Sequence, residues 1–328
     1  QDSRTSKDYL TGAAQGVGTT SIGNTPGWYT SDLTLERRLG QHRIAIGASA
    51  GVYETSVDTF STANWRTAFA PVFTASTYGK TSLWGLWFED EVDLGNDWIV
   101  TGGIRYDRWH AFNGGIAKPY SGARKDDRYP ERRDSAISPK LSIQGKLASE
   151  LDIQLSLGTS KRFPTVGELF QGRFDDITQA IDPESFDPHL RAERSRDANL
   201  ILRYGRNGTH LTGSLFYQDI DDAIFSFSGA NQFGTVVNSY KNVDRVRQYG
   251  VELIFEAHDV LPGLDIDTNV AWISAKTERN LANPAAEGAQ FPRIPKWRSN
   301  GNLRYRIAEP LKLSLGWRYA SRPNSDLL

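Results

Sequence analysis

Chemistry in this 328-residue chain would have to come from a short list of side chains. Its five histidines are His42, His110, His189, His210 and His258, and no two of them stand at the close spacing that imidazole ligation of a metal uses. With zero Cys there is neither a thiolate site nor a cysteine nucleophile. A Ser/His/Asp set requires convergence of distant residues, and no spacing in the sequence announces one. The stretch carrying Asp175-Asp176, Asp182, Glu184 and Asp187 offers oxygen donors for Ca²⁺, but not at the EF-hand spacing. What remains is arginine beside aromatic rings. Arg105 and Asp107 are followed by Trp109 and His110; Arg162 and Phe163 lead to Phe170 and Arg173; His189 closes the same polar stretch. A guanidinium pairs with carboxylate or phosphate and also stacks on rings, so such a set suits a planar or anionic ligand. The expected ligand-binding residues are therefore Arg105, Trp109, His110, Arg162, Phe163, Phe170, Arg173 and His189, with no catalytic residue, no metal site and no cofactor. Trp65, Tyr78 and Phe233 lie in other polar stretches and are secondary candidates.

Two-residue periodicity identifies the elements that must position these groups. In Leu151-Asp152-Ile153-Gln154-Leu155-Ser156-Leu157-Gly158 every odd residue is apolar and every even one is polar or glycine. The same alternation runs through Leu311-Lys312-Leu313-Ser314-Leu315-Gly316-Trp317-Arg318-Tyr319, and around Trp98–Asp107, His210–Tyr217 and Gln248–Glu256. Alternate side chains of a strand face opposite sides, so each segment has one greasy face and one wet face.

The connections alternate as well. Turns at Leu39 to Gln41, Leu94 to Asp97, Ala148 to Glu150, Gly205 to Gly208, His258 to Gly263 and Ala308 to Pro310 are short and rich in turn formers. Between them lie polar stretches at roughly 55–79, 110–136, 161–194, 220–246 and 276–295, read as long loops of the kind that carry binding surfaces. Asn207-Gly208-Thr209 matches a glycosylation sequon but is read as a hairpin turn. The predicted fold is all-β, an antiparallel up-and-down transmembrane β-barrel with short periplasmic turns and long extracellular loops. About a dozen strands of about 9 to 13 residues are expected, near the length that a tilted strand needs to cross hydrocarbon. Aromatics on the apolar face sort to strand ends, with Trp98, Tyr204 and Tyr305 near the short turns. Tyr29, Tyr106, Tyr217, Tyr249, Trp272, Trp297, Trp317 and Tyr319 lie near the long connections, as interfacial girdles do.

Bulk properties exclude other classes. The 38% hydrophobic residues contain no run near the roughly 18 apolar residues of a membrane helix. A formal net charge of −1 gives no basic field, so no nucleic-acid partner is expected. Nothing near Gln1 resembles a secretory signal, which is expected to be removed or to lie outside this stretch.

Short motifs then carry a family resemblance. Gly158-Thr159-Ser160-Lys161-Arg162-Phe163-Pro164-Thr165 with Glu168-Leu169-Phe170 resembles the Phe-Arg-x-Pro-Thr and Glu-Leu-Phe stretch of TonB-dependent outer-membrane receptors. Asp187-Pro188-His189-Leu190 with Glu193 resembles their Asn-Pro-x-Leu-x-x-Glu run. Gly102 to Asp107, Gly213 to Ile220, Gln248 to Leu253 and Ile294 to Trp297 are further matches. Lys161 stands where the family has Phe, Phe163 follows the Arg, and Asp187 replaces Asn; these departures speak against the strict haem-uptake motif. The resemblance implies a barrel of about 22 strands around an N-terminal plug. It implies uptake of a scarce nutrient, foremost an iron-siderophore-type complex, with energy from the TonB complex in the inner membrane. Residues 1–328 would be part of that barrel domain, lacking the plug and the C-terminal strands, and the partners would be TonB, a small ligand such as a metal chelate, and outer-membrane lipid. A passive porin-type channel and an outer-membrane enzyme are the alternatives.

Overall fold

A computed structural model describes residues 5–9, 16–24, 27–120, 123–174, 181–182, 184–187, 189–230, 234, 236–325 and 327. In chain order the elements are β1 (Thr5–Tyr9), β2 (Gly18–Gly23), β3 (Gly27–Leu39), β4 (His42–Thr62), β5 (Val72–Gly95), β6 (Trp98–Tyr120), β7 (Ala123–Arg128), β8 (Arg132–Ala148), β9 (Leu151–Arg162) and the single-turn helix α1 (Val166–Leu169). They continue with β10 (Glu193–Arg206), β11 (Thr209–Ala230), β12 (Val236–Ala257), β13 (Leu264–Arg279), a 3₁₀ turn at Pro284–Ala286, β14 (Trp297–Ala308) and β15 (Leu311–Ala320). All 15 strands form one antiparallel sheet in which sequence neighbours are spatial neighbours. Four of them are the halves of two interrupted strands. β2 and β3 share one edge of β4, and β7 and β8 share one edge of β6.

Hairpins form where the sequence supplies residues that tolerate positive φ. Asn96 and Asp97 have φ of 53° and 64°, and Asn207 and Gly208 have 47° and 78°, the pairing of a two-residue turn whose twist matches its strands. The sequon at Asn207 is thus a hairpin turn. All six short turns lie where the sequence places them.

Strand length departs from expectation. The long wall strands run to 24 residues in β5, 23 in β6 and 22 in both β11 and β12, well past the expected 9 to 13. Most of the supposed long loops are therefore continued hairpin. β4 and β5 stay paired from Ser56↔Tyr78 to Ser61↔Val72, and β11 and β12 from Ala223↔Val243 to Ala230↔Val236. Hydrophobic alternation stops at the edge of the lipid because both faces there meet water, whereas the backbone ladder needs no apolar side chain to continue. The segment between β9 and β10 and that between β13 and β14, residues 280–296, remain mainly irregular, as the sequence predicts for both.

One face of the sheet is a continuous apolar belt, with Leu86, Leu215 and Leu315 between 51% and 60% exposed. Aromatics edge it as the periodicity predicts: Trp84 meets Tyr106 edge-on at 5.6 Å, and Tyr249 meets Trp272 at 5.8 Å. Exposed apolar side chains of this size each gain about 1.5–3 kcal/mol when removed from water, so the belt is built for lipid. Among the described residues no helix is long and apolar enough to cross a membrane; the apolar belt is carried by strands.

Candidate ligand-binding site

Opposite the belt, the even-and-odd logic of β6 puts Arg105, Asp107 and Trp109 on the concave face. They line a cavity of about 480 Å³ at the loop end of the sheet, together with Tyr53, Leu83, Arg162, Phe163 and Val166 among others. Trp109 and Phe163 stack with ring centroids 5.7 Å apart and planes 5° from parallel. The Arg132 guanidinium lies 5.8 Å from the Trp109 centroid, and the Lys161 ammonium 5.2 Å from that of Phe163. Arg105 donates through Nε to Asp107 at 2.8 Å and through Nη2 to Ser49 at 2.7 Å. Gly85 leaves the room this pair occupies, since a Cβ there would fall on both side chains. Arg162 donates through Nε to Glu193 at 2.6 Å and through Nη1 to Glu168 at 3.0 Å. Nη1 of Arg105 and Nη2 of Arg162 make no hydrogen bond among the described residues, and each is a donor left for a ligand acceptor.

The far wall of the cavity is a strap, described at residues 163–174, 181–182, 184–187 and 189–192, folded across the concave face. It begins with α1, whose N-cap is a capping box: Thr165 Oγ1 accepts from the Glu168 N–H, and the Glu168 carboxylate accepts from the Thr165 N–H. Packing of α1 against the neighbouring strands β4 and β5 and also against β12, far along the sheet from both, shows that the strap spans the hollow rather than hanging outside it. Phe170 anchors it. Its ring sits on the wall at Gly79 of β5 and Gly114 of β6, where a Cβ at either position would collide with it. The ladder is bulged at this point between Tyr78 and Lys80. Tyr129 stacks over Phe170 at 6.3 Å and over Phe186 at 4.2 Å, and burial pushes its phenol pKa up. On the other side the strap is tied to β12 and β11. Arg191 N–H donates to Asn242 Oδ1 at 2.7 Å, Asn242 Nδ2 donates back to the Arg191 carbonyl at 3.0 Å, and Arg191 Nε donates to Asp222 at 2.8 Å. Lys241 Nζ to Glu184 at 2.6 Å, and Arg132 Nη2 to the Leu190 carbonyl at 2.8 Å, complete the attachment.

Of the eight expected ligand residues, the structure brings four to the cavity: Arg105, Trp109, Arg162 and Phe163. Phe170 is 6% exposed in its glycine socket and acts as an anchor. His110 projects from the other face of β6, stacked on Phe112 at 4.8 Å and 3.1 Å from Glu131, so it does not share a site with Trp109. His189 is exposed at the end of the strap, its N–H bonded to Asp187 Oδ1. The backbone N–H of Arg173 donates to Ser185 Oγ inside the strap. Tyr78 bonds Asp126 at 2.9 Å. Asp182 and Asp187 cap turns of the strap, and no group of three metal-binding side chains occurs among the described residues. Asp175, Asp176 and Phe233 lie outside the described residues. Sequence reasoning missed Tyr53, Leu83 and Val166. For Tyr53 the signal was present, because it alternates in β4 with Ser49 and Gly51 on the wet face. The stretch Gly47-Ala48-Ser49-Ala50-Gly51 also has the Gly-x-Ser-x-Gly form, but it lies inside β4 rather than at a strand-to-helix elbow, and Ser49 accepts a bond from Arg105.

The family profile described as "TonB dependent receptor-like, beta-barrel" matches residues 1–327. The chain belongs to this family. No curated protein matches it as a relative. Among solved structures, the TonB-dependent fold is shared with the copper transporter OprC at 17% identity and a TM-score of 0.65, covering 93% of this chain and 44% of that one. The ferric yersiniabactin uptake receptor FyuA from Yersinia pestis aligns at 16% identity and 0.61, covering 94% and 43%. The siderophore receptor PiuA from Acinetobacter baumannii aligns at 13% and 0.62, covering 93% and 46%. The chain thus spans less than half the length of each. Membership of the TonB-dependent family places the protein in the outer membrane, and explains why its belt is greasy outside and its concave face polar.

Proposed function

We propose that this chain forms part of the wall and the ligand mouth of an outer-membrane receptor for a scarce nutrient, an iron-siderophore-type complex, taken up with energy supplied by TonB. The observation that carries the reading is the cavity between β6 and the strap, where Arg105 and Arg162 keep unused N–H donors above a floor made by the buried, stacked Trp109–Phe163 pair. A metal chelate presents weakly solvated surface together with acceptor oxygens; Tyr53, Leu83 and Val166 answer the first and the two guanidinium groups the second. Copper, siderophore and ferric-chelate cargoes in the names of structural neighbours support the class of cargo. The chain would be the partial barrel domain of a wall of about 22 strands, with the plug encoded elsewhere in the full-length protein. Nothing in the cavity assembles a nucleophile with a base, which favours transport over catalysis. The deciding test is uptake of radiolabelled iron chelates by cells carrying the full-length receptor, with and without a working TonB. Saturable uptake that stops without TonB supports the proposal; uptake or ion conductance that persists without it would make the protein a passive channel.

A further inference from the structure

The wall has a seam. β8 and β9 pair only from Lys140↔Gly158 down to Ala148↔Leu151, although β8 continues up to Arg132 along β6 and β9 continues up to Arg162 along β10. Above Lys140 the facing edges diverge. Lys161 Nζ reaches across to the Ser135 carbonyl at 3.0 Å, a side-chain substitute for one lost ladder bond. The Ser135 N–H donates to Asp134 Oδ1 at 2.7 Å, so at this residue side chains replace the ladder for donor and acceptor alike.

On the outward, lipid-facing side the seam opens into a groove of about 440 Å³. Its floor is apolar: Pro139 and Leu141 of β8, Leu157 of β9, Ala198 of β10 and Tyr217 of β11. Its upper end is cationic. Arg196 lines the groove with its side chain 61% exposed and reaches Asp221 at 3.1 Å and Asp219 only at 3.5 Å. Asp219 is already held by Arg245 at 2.8 and 2.6 Å. Arg194, two residues along on the same face, is exposed and has no side-chain partner among the described residues. A greasy slot at the aromatic girdle with two outward guanidinium groups above it defines a ligand with a hydrocarbon tail and an anionic oxygen-rich head.

We propose that this groove holds one phosphate-bearing lipid of the outer leaflet, its acyl chain over Leu141, Leu157 and Tyr217 and its phosphate between Arg194 and Arg196. The site is on the opposite face of the wall from the ligand cavity and is independent of the cargo. The test is native mass spectrometry of the detergent-purified full-length receptor, titrated with purified lipid A and with the same lipid after enzymatic removal of its phosphates. The expected result is a bound lipid A that the dephosphorylated form does not match, with binding weakened about tenfold or more by R194Q/R196Q, since two charge-assisted contacts are lost. L157W, which fills the slot, should weaken binding without touching a charge. Equal binding of the two lipids overturns the proposal in the unmodified protein alone, whatever the variants do. Unchanged binding in either variant, where its heat-resistant gel mobility shows a folded barrel, overturns it as well.

Discussion

At the residue scale the cavity depends on guanidinium groups that are only partly committed. Arg162 uses two nitrogens on Glu193 and Glu168 and keeps the third. Replacing it by Gln removes that donor and leaves two carboxylates facing each other, so R162Q is expected to weaken binding of an anionic chelate by about tenfold or more, measured by quenching of tryptophan fluorescence in the full-length receptor. R162K keeps the charge but not the fork, and should recover only part of the loss. Tyr129 gives a pH prediction. Its phenol pKa is raised by burial under Phe170 and Phe186, so below about pH 10 the buried and released forms are both neutral and docking of the strap is at full strength. Above that pH a released Tyr129 ionises while a buried one resists, and docking weakens as pH climbs. Protease cleavage within the strap should therefore accelerate above pH 10, and the Tyr129→Phe protein should lack that acceleration. The arginines and the first aromatic of the cavity were legible in the sequence, because residues two apart in a strand share a face. His110 was misplaced for the same reason, since it is one residue from Trp109 and points the other way. Phe170 was legible as an important aromatic but not as an anchor, because its socket is two glycines about 35 residues apart that only the β5–β6 register brings together.

At the element scale the strap behaves as a brace. It is tied at both sides of the hollow, at Gly79 and Gly114 through Phe170 and at β12 through Arg191 and Lys241, and a lid hinged on one side would lack the second set. A methyl group added at Gly114 would press on the Phe170 ring, so G114A should loosen the strap by about 1–3 kcal/mol of overpacking, seen as faster strap proteolysis with the barrel intact. A direct trial uses the lack of cysteine in this chain. Glu184→Cys and Lys241→Cys, joined by a short reducible bis-thiol reagent in the full-length receptor, fix the strap to β12. A brace predicts that uptake continues at its usual rate while the link is in place; uptake that stops, and returns on reduction, would make the strap a moving lid. The sequence marked this segment as its longest polar stretch but could not show its direction. Inward folding rests on long-range pairs such as Arg191 with Asn242, which have no local periodicity to betray them.

At the scale of the whole molecule, alternation and turn chemistry were enough to read the fold class, because lipid imposes a greasy face on each strand regardless of the rest of the sequence. The strand ends were not legible, since above the membrane the ladder runs through side chains that are polar on both faces. The geometry of the sheet then makes a prediction of its own. Neighbour follows neighbour from β1 to β15, and β15 has no partner on its second side among the described residues. β15 is also exposed along its whole length, with Leu311, Leu313 and Leu315 each more than half exposed. A strand with a free backbone edge and bare leucines pairs with whatever edge it meets, which in isolation is another copy of the same chain. Residues 1–328 refolded alone into detergent should therefore give mixed oligomers without the heat-dependent gel shift of a closed barrel, whereas the full-length receptor should give a monomer with that shift. Sedimentation in density-matched detergent distinguishes the two. A monomer of residues 1–328 that unfolds in one cooperative step would mean that the sheet can close its edges without any further strand.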